Sequence, residues 1–78
     1  MQPEELKSLL LAAFPGAGVE VASPDGVHFQ ARIEAEAFTG KPTLARHRMV
    51  YGALGERMGG EVHALSLRTL TPEEAGRP

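Results

Sequence analysis

Apolar and polar residues alternate without a break from Val27 to Ala35. A period of two is typical of a β-strand with one buried and one solvated face, so this segment predicts such a strand. Val19 and Val21 show the same alternation over a shorter stretch. The sequence Ser-Pro-Asp-Gly at residues 23–26 lies between the two segments and favours a tight turn. The pair is therefore predicted to form an antiparallel hairpin.

The segment before this hairpin has helical spacing. Pro3 suits the first turn of a helix, and the Pro-Gly pair at residues 15–16 ends it. Its predicted inner face consists of Leu6, Leu9, Leu10, Ala13 and Phe14. This pattern predicts an amphipathic first helix.

A second helix is predicted after the hairpin. Thr43 is its predicted capping residue, and the helix runs to about Met58, where the Gly-Gly pair at residues 59–60 stops it. The side chains predicted to face inward are Val50, Tyr51, Leu54 and Met58.

The remaining segment predicts a third strand and a short helical turn. Val62 to Leu70 is rich in β-branched and aliphatic residues, and residues 71–74 then open a helical turn that Gly76 stops. A strand–helix–strand crossover within one sheet is right-handed and makes its two strands parallel. We therefore predict one domain over residues 1–78 with an α+β fold. It is a two-layer sandwich in the order αββαβ(α), with a three-stranded mixed sheet and helices on one face.

The composition of the chain limits the metal ligands and the classes of function that it can have. The chain has 78 residues, a net charge of −2 and no cysteine, so any metal ligand must be histidine or a carboxylate. The longest apolar run, Leu9 to Phe14, has six residues, and the first residues lack the features of a signal peptide. About 20 apolar residues are needed to span a bilayer, so a cytoplasmic protein without membrane contact is expected. No serine or carboxylate lies in a catalytic pattern, and an enzyme is not expected.

Two histidines open predicted strands. His28 begins the second strand and His63 the third, and parallel strands would place both at one edge of the sheet. Adjacent strands lie about 4.8 Å apart, so the two imidazoles could share a ligand. Strict alternation, however, puts His28 on the solvated face, whereas His63 shares its side with Leu65 and Leu67. The alternative is that each histidine is a surface or half-buried residue without a ligand, and local packing is the preferred interpretation for His47.

A cluster of basic residues surrounds the predicted start of the second helix. It consists of Lys41, Arg46 and Arg48, with Arg32 as a further candidate. Cations near a helix N-terminus favour anions such as nucleic-acid phosphates, whereas the alternative is a solvated helix face. The preceding loop has a single glycine, Gly40, and lacks the Gly-x-x-Gly clamp of hnRNP-K-homology (KH) domains.

Four motifs in register give the chain a resemblance to the BolA family. They are Phe38-Thr39-Gly40, the segment Arg46 to Tyr51, the segment Val62 to Leu67, and Thr71-Pro72-Glu73-Glu74. The segment Asp25 to Phe29 is also similar to the family pattern before the second strand, so the resemblance covers nearly the whole chain. It implies an αββαβα fold related to class II KH domains, in agreement with the order derived above.

The resemblance also implies a partner and a cofactor. It implies a heterodimer with a monothiol glutaredoxin that shares a 2Fe-2S cluster, in which glutaredoxin and glutathione supply thiolates. The family's ligand in its His-Ala-Leu motif matches His63, and a second ligand position, His or Cys in different branches, matches His28. Imidazole in place of thiolate raises a cluster's potential, and a protonatable ligand makes cluster binding weaken as the pH falls.

Three functions follow as hypotheses. The first is a glutaredoxin partner in iron–sulfur cluster trafficking or in iron and redox regulation, with no cofactor in the isolated chain, which would be a monomer or weak homodimer. The second is a transcriptional regulator that binds DNA through Lys41, Arg46 and Arg48. The third is an adaptor that binds a protein partner without any metal.

Overall fold

The computed structural model describes residues 1–60, 62 and 64–76. Three helices and three strands follow the predicted order: α1 (Pro3–Ala13), β1 (Gly18–Ala22), β2 (His28–Glu34), α2 (Thr43–Leu54), β3 (Ala64–Leu70) and α3 (Pro72–Ala75). Single 3-10 turns lie at Glu36–Phe38 and at Gly55–Arg57. None of the helices in this described part of the chain is long and apolar enough to cross a membrane.

The sheet has the predicted mixed topology, in the order β1-β2-β3. Strands β1 and β2 are antiparallel, with Gly18 opposite Glu34. Strands β2 and β3 are parallel, and their register pairs His28 with Ala64 and Glu34 with Leu70. The long connection through α2 therefore acts as the crossover that the sequence predicts.

The core lies between one face of the sheet and helices α1 and α2. Phe29, Ala31 and Ile33 alternate inward from β2, and each is at most 4% exposed. Across from them lie Leu6 and Leu10 of α1, Phe14, and Val50 and Leu54 of α2. The intervening strand residues Gln30, Ser66 and Arg68 are exposed. This arrangement confirms the α+β two-layer sandwich with both long helices on one face.

Helix α2 differs from its prediction at both ends. Pro42 is the capping position, because its carbonyl accepts the Arg46 N–H at 3.1 Å, and Thr43 is already helical. The helix ends at Leu54 because Gly55 adopts φ +55°, outside the right-handed region. Met58 packs against the core from beyond this break.

The inner face of α2 is also narrower than predicted. Arg46, Val50 and Leu54 are its buried residues, and they follow each other at intervals of four. Tyr51 lies about 100° around the helix from Val50 and is exposed, as is Ala13 on α1. The inward assignments of Tyr51 and Ala13 are therefore wrong.

Candidate functional site

His28 is the first residue of β2, the central strand, and lies at the end of the sheet where β2 begins. Its side chain is 57% exposed, which confirms that alternation places it on the solvated face. Its backbone carbonyl accepts a hydrogen bond from Ser23 Oγ at 2.6 Å. The start of the strand is thus tied to the preceding turn.

The turn at residues 23–26 is held by its own side chains. Ser23 Oγ also accepts the Gly26 N–H at 2.8 Å, and Gly26 has φ +80°, which glycine adopts without steric cost. Asp25 Oδ1 accepts the backbone N–H groups of Val27 at 2.9 Å and His28 at 2.8 Å. These bonds satisfy the polar backbone of the turn and fix the direction in which β2 begins.

The other oxygen of Asp25 contacts the His28 ring. Oδ2 lies 2.6 Å from His28 Nδ1. The backbone N–H groups of His28 and Val27, together with the imidazole, hold the pKa of the Asp25 carboxyl well below its usual range. An ionised carboxylate only accepts hydrogen bonds, so a neutral His28 carries its proton on Nδ1 and its lone pair on Nε2. Metal-ligating histidines are commonly oriented by a carboxylate in this way.

Sequence reasoning did not identify Asp25 as part of the site. It interpreted the residue only as a turn former, although Asp25 lies three positions before a candidate histidine ligand. That spacing within a turn, with Gly26 between them, is the signal that could have pointed to the pair.

His63, the other predicted ligand, lies outside the described residues. Of its described neighbours, Val62 is fully buried and forms an isolated parallel bridge with Met58. Ala64 is the register partner of His28, and its N–H donates to the Val27 carbonyl at 3.3 Å. The described start of β3 therefore lies beside His28, as the parallel crossover predicts.

The described residues can supply a nitrogen ligand to a metal cluster, but they do not form a complete metal site. Among residues 1–60, 62 and 64–76, no group of three His, Cys, Asp or Glu side chains could hold a metal ion. The chain also has no cysteine. Imidazole is an established ligand in 2Fe-2S centres of the Rieske type, so His28 is chemically suited to be one ligand of a centre whose thiolate ligands come from another molecule.

The structure corrects the predicted role of Arg46. The residue is buried at 9% exposure and packs over the Phe38 ring at 5.9 Å. Its Nε donates to the Lys41 carbonyl at 2.7 Å, and its Nη1 donates to the Thr69 carbonyl at 3.2 Å. Its guanidinium also pairs with Glu74, with Nη1 2.6 Å from Oε1 and Nη2 3.3 Å from Oε2. Arg46 is therefore an internal link between α2 and α3, and its assignment to an exposed basic cluster is wrong.

Glu74 has a second role in the same link. Its Oε1 accepts the Thr71 N–H at 2.8 Å, and its own N–H donates to Thr71 Oγ1 at 3.1 Å, which is a capping box. The Arg46 guanidinium and the Thr71 N–H lower the pKa of Glu74 to about 2. The Thr-Pro-Glu-Glu motif thus begins α3 and also supplies the carboxylate that pairs with Arg46.

The exposed cations at the start of α2 are therefore Lys41 and Arg48. Arg32 alternates with the buried residues of β2, on the sheet face away from α2, and its Nη1 lies 3.6 Å from Glu34 Oε2. It does not join the cluster. His47 contacts Tyr51, with ring centroids 6.4 Å apart, in agreement with the local-packing interpretation.

Comparison with known proteins adds an independent observation. The family model of BolA-like proteins matches residues 14–74. The chain is 38% identical over 80 residues to the DNA-binding transcriptional regulator BolA of Escherichia coli K12, covering 91% of this chain and 76% of that one. It is 41% identical over 75 residues to an uncharacterized protein in the rpoN-murA intergenic region of Acinetobacter guillouiae, covering 95% and 89% of the two chains. A bolA protein homologue from Coxiella burnetii matches at a TM-score of 0.88 with 39% identity, covering 99% of each chain.

Proposed function

This chain belongs to the BolA-like protein family, and from that premise we propose that it binds a monothiol glutaredoxin and shares a 2Fe-2S cluster with it. His28 and His63 supply nitrogen ligands, and the glutaredoxin and glutathione supply thiolates. The complex acts in cluster trafficking or in iron and redox regulation. The chain itself is a binding partner and performs no catalysis.

One observation carries this proposal: the exposed His28 imidazole is held by Asp25, with its Nδ1 2.6 Å from the carboxylate Oδ2. A ligand of this kind needs access for a second protein, and the exposed position of His28 at the start of β2 provides it. His63 is proposed as the second ligand because it matches the family's ligand in the His-Ala-Leu motif and directly precedes Ala64, the register partner of His28. When bound, the cluster supplies one-electron chemistry or is itself passed on.

Cluster reconstitution tests the proposal. The chain is mixed with a monothiol glutaredoxin, glutathione, iron and sulfide, and the heterodimer is followed by size-exclusion chromatography with visible absorbance and circular dichroism. We expect a cluster-bearing heterodimer whose spectrum changes with His28→Ala and with His63→Ala. His47→Ala is the matched control, because that ring contacts Tyr51 on α2, and its spectrum should equal that of the wild type.

Two results would contradict the proposal. If no heterodimer with cluster absorbance forms, or if its spectrum is the same in all three histidine variants, the ligand assignment fails. A heterodimer that forms equally well without iron and sulfide, and never takes up a cluster, would favour the metal-free adaptor instead.

DNA binding is a second candidate, favoured by the name of the Escherichia coli relative. In this chain it would depend on Lys41 and Arg48, because Arg46 is buried in an ion pair. Binding to duplex DNA should then weaken with salt by a slope of about −0.9 per neutralised phosphate. The double variant Lys41→Ala/Arg48→Ala should lose binding, whereas Lys7→Ala on α1 should retain it. Undetectable binding by the wild type near physiological salt would exclude this function.

A further inference from the structure

The contact between Asp25 and His28 has a geometry that selects one imidazole tautomer. A neutral imidazole has one N–H, and the nitrogen that carries it is set by the hydrogen bond it makes. Asp25 Oδ2 lies 2.6 Å from His28 Nδ1. An ionised carboxylate only accepts hydrogen bonds, so this contact favours the neutral tautomer with the N–H on Nδ1 and the lone pair on Nε2.

The carboxylate is itself held in place by the turn. Its Oδ1 accepts the backbone N–H groups of Val27 and His28, at 2.9 and 2.8 Å. These two donors determine which oxygen faces the backbone and which faces the ring. Ser23 closes the turn separately, through its bonds to Gly26 N–H and to the His28 carbonyl. Ser23 therefore contributes to the turn alone, whereas Asp25 contributes both to the turn and to the orientation of the ring.

We propose that Asp25 is a positioning residue that fixes the Nδ1–H tautomer of His28 and presents Nε2 as the nitrogen that coordinates the shared cluster. This inference rests on the proposed function. It adds to it a residue that does not touch the metal, and it specifies which ring nitrogen is the ligand. The hydrogen bond between Asp25 and His28 Nδ1 also limits the rotation of the ring about its side-chain bonds, which reduces the entropy lost when the cluster binds.

The substitution Asp25→Asn gives a sharp test because it reverses the hydrogen bond and barely changes the size. The amide carbonyl is expected to keep facing the two backbone N–H groups. Its NH2 group then faces His28 Nδ1 and donates to it, which favours the Nε2–H tautomer. Ser23→Ala is the matched control, because it removes two hydrogen bonds of the turn and leaves the carboxylate in place.

The first measurement uses the isolated chain. Long-range correlation of ring protons with 15N, recorded at an alkaline pH beyond which the ring shifts no longer change, identifies the protonated nitrogen. We expect Nδ1–H in the wild type and in Ser23→Ala, and Nε2–H in Asp25→Asn. A wild-type ring with Nε2–H, or an Asp25→Asn ring with unchanged tautomer, would overturn the positioning role.

The second measurement uses the complex with a monothiol glutaredoxin and glutathione. Cluster loss to a chelator should be roughly 10- to 100-fold faster for Asp25→Asn than for the wild type, the range seen when the partner of a metal ligand is changed. Ser23→Ala should lose the cluster at nearly the wild-type rate. Equal rates for wild type and Asp25→Asn would overturn the inference while leaving the proposed function standing. A wild type that forms no cluster-bearing complex removes the proposed function itself.

Discussion

At the scale of single residues, the turn at residues 23–26 determines how His28 is presented. Ser23 and Asp25 together form hydrogen bonds to the backbone at Gly26, Val27 and His28, so the turn is stabilised by contacts within its own segment. Gly26 completes it by taking a left-handed conformation at φ +80°. The orientation of the His28 ring is therefore determined locally, by the four turn residues that precede Val27 and β2.

The substitution Gly26→Ala tests the local constraint on this turn. A Cβ at this position would meet nothing closer than 3.8 Å, so the expected cost is backbone strain alone. We expect the free energy of unfolding to fall by roughly 1 kcal/mol. Gly52→Ala is the control of opposite sign, because Gly52 lies within α2 with open space around it, and it should stabilise by up to about 1 kcal/mol. Chemical denaturation measures both, and an unchanged midpoint for Gly26→Ala would show that the turn is not constrained.

At the scale of secondary-structure elements, Arg46 joins α2 to the end of the chain. Its side chain reaches the Lys41 carbonyl before α2, the Thr69 carbonyl on β3 and the Glu74 carboxylate on α3. The four-residue α3 is too short to be stable alone, so this link and its capping box hold it against the domain. Arg46 thus stabilises the fold, and the positive charges near the start of α2 that a partner could contact are those of Lys41 and Arg48.

The substitution Arg46→Met tests whether Arg46 stabilises the fold. Methionine keeps much of the aliphatic volume but leaves the carbonyls and the Glu74 carboxylate without their donor, and a loss of about 2 kcal/mol or more in unfolding free energy is expected. Arg48→Met, at an exposed position of the same helix, should change stability by less than about 0.5 kcal/mol. Equal effects of the two variants in urea denaturation would contradict an internal role for Arg46.

The same link predicts a dependence of stability on pH. The pKa of Glu74 is lowered from 4.5 to about 2 in the folded chain, so its ionised form stabilises the fold above pH 4.5. This contribution should be lost as the pH falls from 4.5 towards 2. The stability difference between wild type and Glu74→Gln should therefore be largest near neutral pH and shrink through that window. A difference that stays constant from neutral pH to pH 2 would show that the carboxylate is not held by Arg46.

At the scale of the whole molecule, the sheet and its layers could be predicted, whereas several details of the site could not. The alternation from Val27 to Ala35 and the crossover rule were sufficient to predict an antiparallel hairpin of β1 and β2 and the parallel direction of β2 and β3. The end of α2 was predicted wrongly because Val50, Leu54 and Met58 continue the spacing of four across Gly55, whose positive φ interrupts the helix.

The burial of Arg46 and the contact of Asp25 with His28 were not predicted, for different physical reasons. The partner of Arg46 is Glu74, 28 residues further along the chain. The pattern of residues near Arg46 therefore gives no sign that a carboxylate neutralises its charge and allows it to be buried. Asp25 has two functions in one turn, and the turn propensity of Asp accounts for its presence without reference to His28. His63 stays a prediction, since it lies outside the described residues.

We propose that nitrogen from this chain ligates a cluster whose sulfur ligands come from its partner. This proposal is tested most directly by labelling the histidines of this chain alone with 15N, forming the complex with unlabelled glutaredoxin and glutathione, and recording pulsed EPR of the reduced cluster. The account predicts 15N hyperfine couplings that diminish in His28→Ala and in His63→Ala and persist in His47→Ala. A cluster-bearing complex that shows no 15N coupling would contradict it.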